Sequence, residues 1–209
     1  EAGFHTFSEK PIANNFAESM RIRDLADEKG LVYQVGFELR HSPLVQRVIE
    51  HIESGRIGRV TAISGYHFNR PNLQHFEARG DWKYSKWGGN ILLDCMSHTF
   101  DMINLFAGSR VNRVFADLDS VTDDYRGQEI PEVGNVRISY ESGVKACIGC
   151  TRTCHQPEAT LLTIAADDGK IEIKYSNAGS YKLWFGKQFF KEEAIDPTTT
   201  RCGHLGWDE

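Results

Sequence analysis

The sequence predicts an α+β chain built on a large, mainly antiparallel open sheet with helices on one face. Three observations carry this. After residue 110, strand-like segments follow one another with short turn signals between them: Glu141-Ser142-Gly143, Asp167-Asp168-Gly169 and Asn177-Ala178-Gly179. Turns that short join neighbours antiparallel, as a meander. Ahead of them, apolar residues recur at helical spacing in three stretches. Those helices can cover one face of the sheet, so a second copy of the chain is the expected cover for the other, making a homo-oligomer.

Taken in order, Pro11 suits a first helical position, with Ala13, Phe16, Ala17, Met20 and Leu25 as a rough stripe closed by Gly30. Residues 31–37 read as a short buried strand. Ser42-Pro43 is an N-cap and N1 pair for a second helix, with Leu44, Val45, Val48, Ile49 and Ile52 on one side and Gly55 as the stop. Val60, Ala62, Ser64, Tyr66 and Phe68 alternate with other residues and predict a long strand. Residues 70–88 form a polar, aromatic-rich loop, and 89–107 an apolar helix ended by Gly108. Strands follow at 111–118, 135–140, 144–152, 160–166, 170–175 and 180–185; 196–209 show no clear element. The chain divides into an αβ piece over 1–39 and an α+β domain over 40–209.

Lys plus Arg is 24 and Asp plus Glu is 29, a formal charge of −5. That balance argues against a nucleic-acid partner or an anionic membrane surface. No apolar run approaches the ~20 residues a bilayer span needs, and the N-terminus has no signal-peptide pattern. Five cysteines, an odd number, do not make a disulfide framework at this length and point to a reducing, cytoplasmic setting.

The strongest chemical signal is Asp94, His98 and Asp101, at i, i+4 and i+7 of the apolar helix. Charge on so apolar a helix must be paired or line a cleft. Three readings fit the spacing. His98 is a general base oriented by Asp94, which could instead hold a substrate hydroxyl; or His98 and Asp101 cap neighbouring backbone; or the three bind a metal, for which one helix supplies too few ligands. Lys10, in Glu9-Lys10-Pro11, sits where a helix start disfavours positive charge. It is either a functional group or a solvated surface lysine. Cys147, Cys150, Cys154 and His155 have zinc-like spacing, but positions 147 and 150 of a strand face opposite sides, and Cys202 and His204 are remote, so no metal is expected. Nothing around Cys95 points to a thiolate.

Glu9-Lys10-Pro11, Val35-Gly36-Phe37, Arg40, Pro43, Ser54-Gly55-Arg56-Ile57-Gly58, Trp87-Gly88-Gly89 and then Asp94, His98 and Asp101 occur in an order that resembles the Gfo/Idh/MocA oxidoreductases, the glucose–fructose oxidoreductase and inositol dehydrogenase family. The resemblance is detailed from Phe7 to Gly108 and looser beyond. It implies an N-terminal Rossmann domain, of which 1–39 would be the end, and an open-sheet domain for substrate and oligomerisation, incomplete at its C-terminus, over 40–209. It implies hydride transfer between NAD or NADP and a hydroxyl or keto carbon of a sugar, cyclitol or related polyol. Lys10, Asp94 and His98 would be catalytic, Glu9, Lys10, Pro11 and Arg40 would face the cofactor, and Asp101 would be structural. Trp82, Tyr84 and Trp87 would stack on the substrate beside Asp94 and His98, or are ordinary core aromatics. Arg40 could instead pair with a carboxylate. No Gly-x-Gly-x-x-Gly occurs. The expectation is therefore a fragment that holds no dinucleotide alone. The alternatives are a non-catalytic assembly module and another NAD-assisted reaction such as glycoside cleavage.

Overall fold

The computed structural model describes residues 3–69, 92–127, 129–154, 159–175, 179–186 and 188–194. Strand β1 (Thr6–Glu9), helix α1 (Phe16–Glu28) and strand β2 (Tyr33–Gly36) form a small βαβ unit. Its two strands pair parallel, with Glu9 opposite Gly36. β1 has no counterpart in the sequence reading. α1 begins five residues after Pro11, because Asn15 is the N-cap and its side chain accepts from the Glu18 N–H at 2.9 Å. Lys10 therefore lies at the end of a strand, away from any helix start. The α1 stripe faces outward at its start, where Phe16 is exposed, and β2 buries only Gly36.

A 3₁₀ turn over Glu38–His41 leads into α2 (Pro43–Glu53), which starts where Ser42-Pro43 predicts. The Ser42 hydroxyl accepts from the Val45 N–H, and the helix ends before Gly55 at φ +67°. β3 (Val60–Phe68) follows. A π-helical turn over Leu92–Met96 opens α3 (Ser97–Ala107), which Gly108 closes at φ +56°. β4 (Val111–Asp119), the short α4 (Asp123–Arg126), β5 (Val133–Tyr140), β6 (Lys145–Thr151), β7 (Ala159–Ala166), β8 (Gly169–Tyr175), β9 (Ser180–Phe185) and β10 (Gln188–Ala194) complete the described chain. α4 and β10 were not legible as elements.

The eight-stranded sheet has the order β10-β9-β8-β7-β3-β6-β5-β4. Every neighbouring pair is antiparallel except β3 and β6. The expected meander is thus split: β3 enters between β6 and β7. A bulge against β7 between Val60 and Ala62 puts Ile63 and His67 on the buried face, and Ala62, Ser64, Tyr66 and Phe68 on the other.

Leu44, Val45 and Val48 of α2 and Met102, Ile103 and Phe106 of α3 share one core with Ile63, Ile138, Ile148, Ile164, Ile171 and Leu183 of the sheet. The opposite face is uncovered among the described residues. There the Arg137 guanidinium lies 4.7 Å from the ring centroid of Phe115, its cross-strand partner, and Leu161 is exposed.

Gly65 sits where strands crowd: a Cβ there would lie 2.1 Å from the Leu161 carbonyl oxygen. Gly65→Ala is expected to lower the unfolding free energy by about 1–3 kcal/mol, with the exposed Ser64→Ala within about 0.5 kcal/mol of the parent in urea titrations.

Candidate active site

Five chain segments end at one place. β1 delivers Glu9 and Lys10, β2 and the turn after it deliver Phe37, Glu38 and Arg40, and the sheet delivers His67 and Asn69 from the end of β3 and Arg152 from the end of β6. The π-helical turn and α3 bring Asp94, Cys95, His98 and Asp101.

Asp94 is the centre. The Lys10 ammonium donates to its main-chain carbonyl at 2.6 Å, and Nζ lies 3.4 Å from Oδ1. Arg152 Nη2 donates to Asp94 Oδ2 at 2.9 Å and to Cys95 Sγ at 2.8 Å, and Asn69 Nδ2 donates to the same sulfur at 3.0 Å. Lys10, Arg152 and Asp94 are all largely buried. A carboxylate withdrawn from water this far needs compensating charge, and two cations from distant segments provide it. The π-turn widens the helix where Asp94 leaves it, a distortion associated with functional positions.

One turn further on, Arg40 grips Asp101 with two parallel bonds, Nε to Oδ2 at 2.6 Å and Nη2 to Oδ1 at 2.5 Å. This ties the turn after β2 to α3. Arg40 also borders the cleft beside β2.

His98 is mostly buried. The Phe37 ring meets it edge-on, with centroids 6.3 Å apart, and Glu38 Oε2 lies 3.6 Å from its Nδ1. Burial and the Lys10 charge push its pKa down to about 4, against the pull of Asp94. His98 is therefore a neutral imidazole at pH 7, able to accept a proton. His67 is deeper still; its Nδ1 meets the Thr160 hydroxyl at 2.9 Å. Burial and then Arg152 push it down to about 4 as well.

The structure thus brings Lys10 and Asp94 into contact and sets His98 on the same helix, within reach of both fields. Glu9 and Pro11 flank Lys10, and the Glu9 carboxylate accepts from the Lys10 main-chain N–H at 3.2 Å. Trp82, Tyr84 and Trp87 lie outside the described residues. Sequence reasoning missed Arg152, Asn69, His67 and Glu38. A signal for Arg152 existed: a charged residue at the end of a strand whose preceding positions are apolar or small. It lay inside the cysteine cluster, where Cys147 is exposed and Cys150 buried. Among the described residues no group of three or more His, Cys, Asp or Glu side chains could hold a metal ion. No helix among them is long and apolar enough to cross a membrane.

A small parallel βαβ unit and a broad, mainly antiparallel sheet with helices on one face meet where these polar side chains gather. The chain belongs to the GFO/IDH/MocA family, whose C-terminal domain matches residues 45–172. It is 33% identical to levoglucosan dehydrogenase of Pseudarthrobacter phenanthrenivorans over 88% of this chain and 53% of that protein. It is 30% identical to myo-inositol 2-dehydrogenase of Thermotoga maritima over 80% of this chain and 48% of that one. The chain spans about half the length of the curated relatives it matches. In fold it is similar to the WlbA dehydrogenase from Bordetella pertussis, solved with NADH and UDP-GlcNAcA, at a TM-score of 0.78 and 24% identity over 90% of this chain and 54% of that one.

Arg152→Met leaves Asp94 short of one cation and is expected to cost about 3–5 kcal/mol of stability. The double variant with Asp94→Asn should lose less than the sum, read by a double-mutant cycle in urea. The buried histidines set a pH dependence. Their folded pKa values lie below the unfolded 6.5, so between about 4 and 6.5 the unfolded chain binds more protons. Their stabilisation is complete above 6.5 and is lost as pH falls toward 4. His67→Asn, which keeps a polar atom toward Thr160, should remove on the order of 3 kcal/mol of the stability lost between pH 6.5 and 4.

Proposed function

We propose that this chain carries the proton-transferring and substrate-binding side of an NAD(P)-dependent dehydrogenase acting on a CH–OH group of a sugar, cyclitol or related polyol, or on the corresponding ketone. The observation that carries the reading is the Lys10–Asp94 contact on the helix that also bears a neutral, buried His98. The relatives named as levoglucosan and inositol dehydrogenases support the substrate class.

In this reading residues 1–39 are the last βαβ unit of a dinucleotide-binding domain, and 40–209 the substrate and oligomerisation domain. The cofactor side fits a flat ring. A cleft of about 640 Å³ runs along β2 from Val32 to the turn after it and past β1, lined by Phe7, Glu9, Gly36, Phe37 and Arg40 among others. One end of it reaches the C-terminal ends of β1 and β2, where open α/β sheets take ligands. Gly36 keeps the floor low; a Cβ there would lie 3.1 Å from the Phe7 ring. Glu9, Lys10, Pro11 and Arg40 would hold the nicotinamide end of NAD or NADP. When bound, nicotinamide supplies the hydride acceptor or donor.

The residues then divide the remaining work. His98 takes the hydroxyl proton. Lys10 donates to the same oxygen and stabilises the negative charge that develops there. Asp94, fixed by Lys10 and Arg152, positions the ammonium and offers an acceptor to a neighbouring hydroxyl. Trp82, Tyr84 and Trp87 are proposed to flank the sugar. The thiols of Cys95, Cys147, Cys150 and Cys154, none in a disulfide, suit a reducing, cytoplasmic setting.

The open sheet face supports a second element of the proposal, self-association through Phe115, Arg137 and Leu161. Light scattering is expected to give a multiple of the chain mass, reduced by Leu161→Lys.

The test of the reaction uses the protein together with its cofactor-binding region. NAD(P) reduction is measured across a polyol panel. His98→Ala and Lys10→Ala are each expected to lower kcat by about 10²–10⁴ with the fold retained. Parent-like turnover in both would overturn the assignment.

A further inference from the structure

We infer that Glu38 works through His98: as the imidazole takes the substrate proton at Nε2, Glu38 receives the proton on Nδ1 and passes it to the cleft. The inference rests on the reading of His98 as the base. It names a positioning and relay residue that neither the helix spacing nor the Lys10–Asp94 contact contains.

Four observations support it. Glu38 opens the 3₁₀ turn directly after β2, so its carboxylate reaches His98 from an element other than α3. Its Oε2 lies 3.6 Å from Nδ1, longer than a hydrogen bond but within ion-pair range. The Nδ1 atom is buried and makes no hydrogen bond among the described residues. A buried ring N–H left without an acceptor is costly, which draws the carboxylate in. Finally, Glu38 is 36% exposed and lines the open cleft, so it touches both the buried ring and water.

The arrangement fixes the tautomer. A carboxylate facing Nδ1 keeps the proton of the neutral ring on Nδ1 and leaves the Nε2 lone pair free. During alcohol oxidation the substrate O–H bond breaks toward Nε2, the Nδ1–H bond breaks toward Glu38 Oε2, and the carbon-bound hydride passes to oxidised nicotinamide. His98 ends neutral with its proton on Nε2, and Glu38 ends as a carboxylic acid that releases its proton to water.

The surrounding charges favour this direction. Around His98, Lys10 and His67 oppose protonation and Asp94 favours it, with burial the largest effect, leaving the ring near 4. Around Glu38, burial is the largest effect and raises the carboxyl above its usual value against an opposing backbone hydrogen bond; Glu9 and Asp101 add to the rise and Lys10 opposes it. Both shifts act in the direction of the relay: the raised carboxyl accepts a proton more readily and the depressed imidazole less. Without a relay, turnover beside Lys10 would have to hold an imidazolium next to an ammonium.

Nitrogen NMR of the 15N-histidine-labelled chain at pH 7 reads the tautomer directly. The parent is expected to show His98 mainly as Nδ1–H. Glu38→Ala is expected to lower the Nδ1–H to Nε2–H ratio about tenfold, with Glu38→Asp intermediate. An unchanged ratio in Glu38→Ala overturns the inference. In protein carrying the cofactor-binding region, Glu38→Ala should lower kcat about tenfold or more with KM within about twofold, and should move the acid limb of the kcat pH profile. A parent-like profile overturns it as well. If His98→Ala keeps activity while the tautomer responds to Glu38, the reading of His98 as base fails and the pairing stands. If His98→Ala is dead and the tautomer ignores Glu38, the relay alone fails.

Discussion

A single buried carboxylate organises this molecule. Asp94 is gripped by Lys10 from the end of β1 and by Arg152 from the end of β6, so one side chain joins the small parallel unit, the helix layer and the large sheet. Removing Arg152 or Asp94 leaves charge in a site with little water to screen it. The same ammonium that steadies Asp94 also depresses the basicity of His98. Structural and chemical roles are therefore served by the same atoms.

The polar groups come from the ends of elements, while their middles build the core. Glu9 and Lys10, Asn69 and Arg152 each lie at or just past a strand terminus, and Asp94 leaves a helix at its irregular first turn. Strand interiors and the facing sides of α2 and α3 fix these ends without contributing chemistry themselves. The Arg40–Asp101 fork adds a second tie between the βαβ unit and α3. It holds the segment carrying Phe37 and Glu38 against the ring of His98.

Local signals were legible in the sequence and non-local ones were not. Ser42-Pro43 and Gly55 bound α2 correctly because capping is decided within four residues. Six strands from Val111 to Phe185 were placed to within two residues, since turns punctuate them. Pro11 misled because it permits a helix start without specifying one, and Asn15 offered a side-chain acceptor that Pro11 lacks. Asp94, His98 and Lys10 could be picked out by residue type and order. Glu38 could not, since its meaning comes from what long-range pairing places beside it, and Arg152 carried only the weak local signal of a charge closing an otherwise small and apolar strand.

The seat of β3 between β6 and β7 has a consequence for how the polypeptide is made. β3 emerges early from the ribosome, yet its sheet neighbours begin only at Lys145 and Ala159. Until those arrive, a nine-residue strand with two unsatisfied edges must wait. Such late, distant pairing slows acquisition of the native topology and exposes the nascent segment to chaperones or to misassociation. The centre of the sheet thus stays incomplete until β7 has been made.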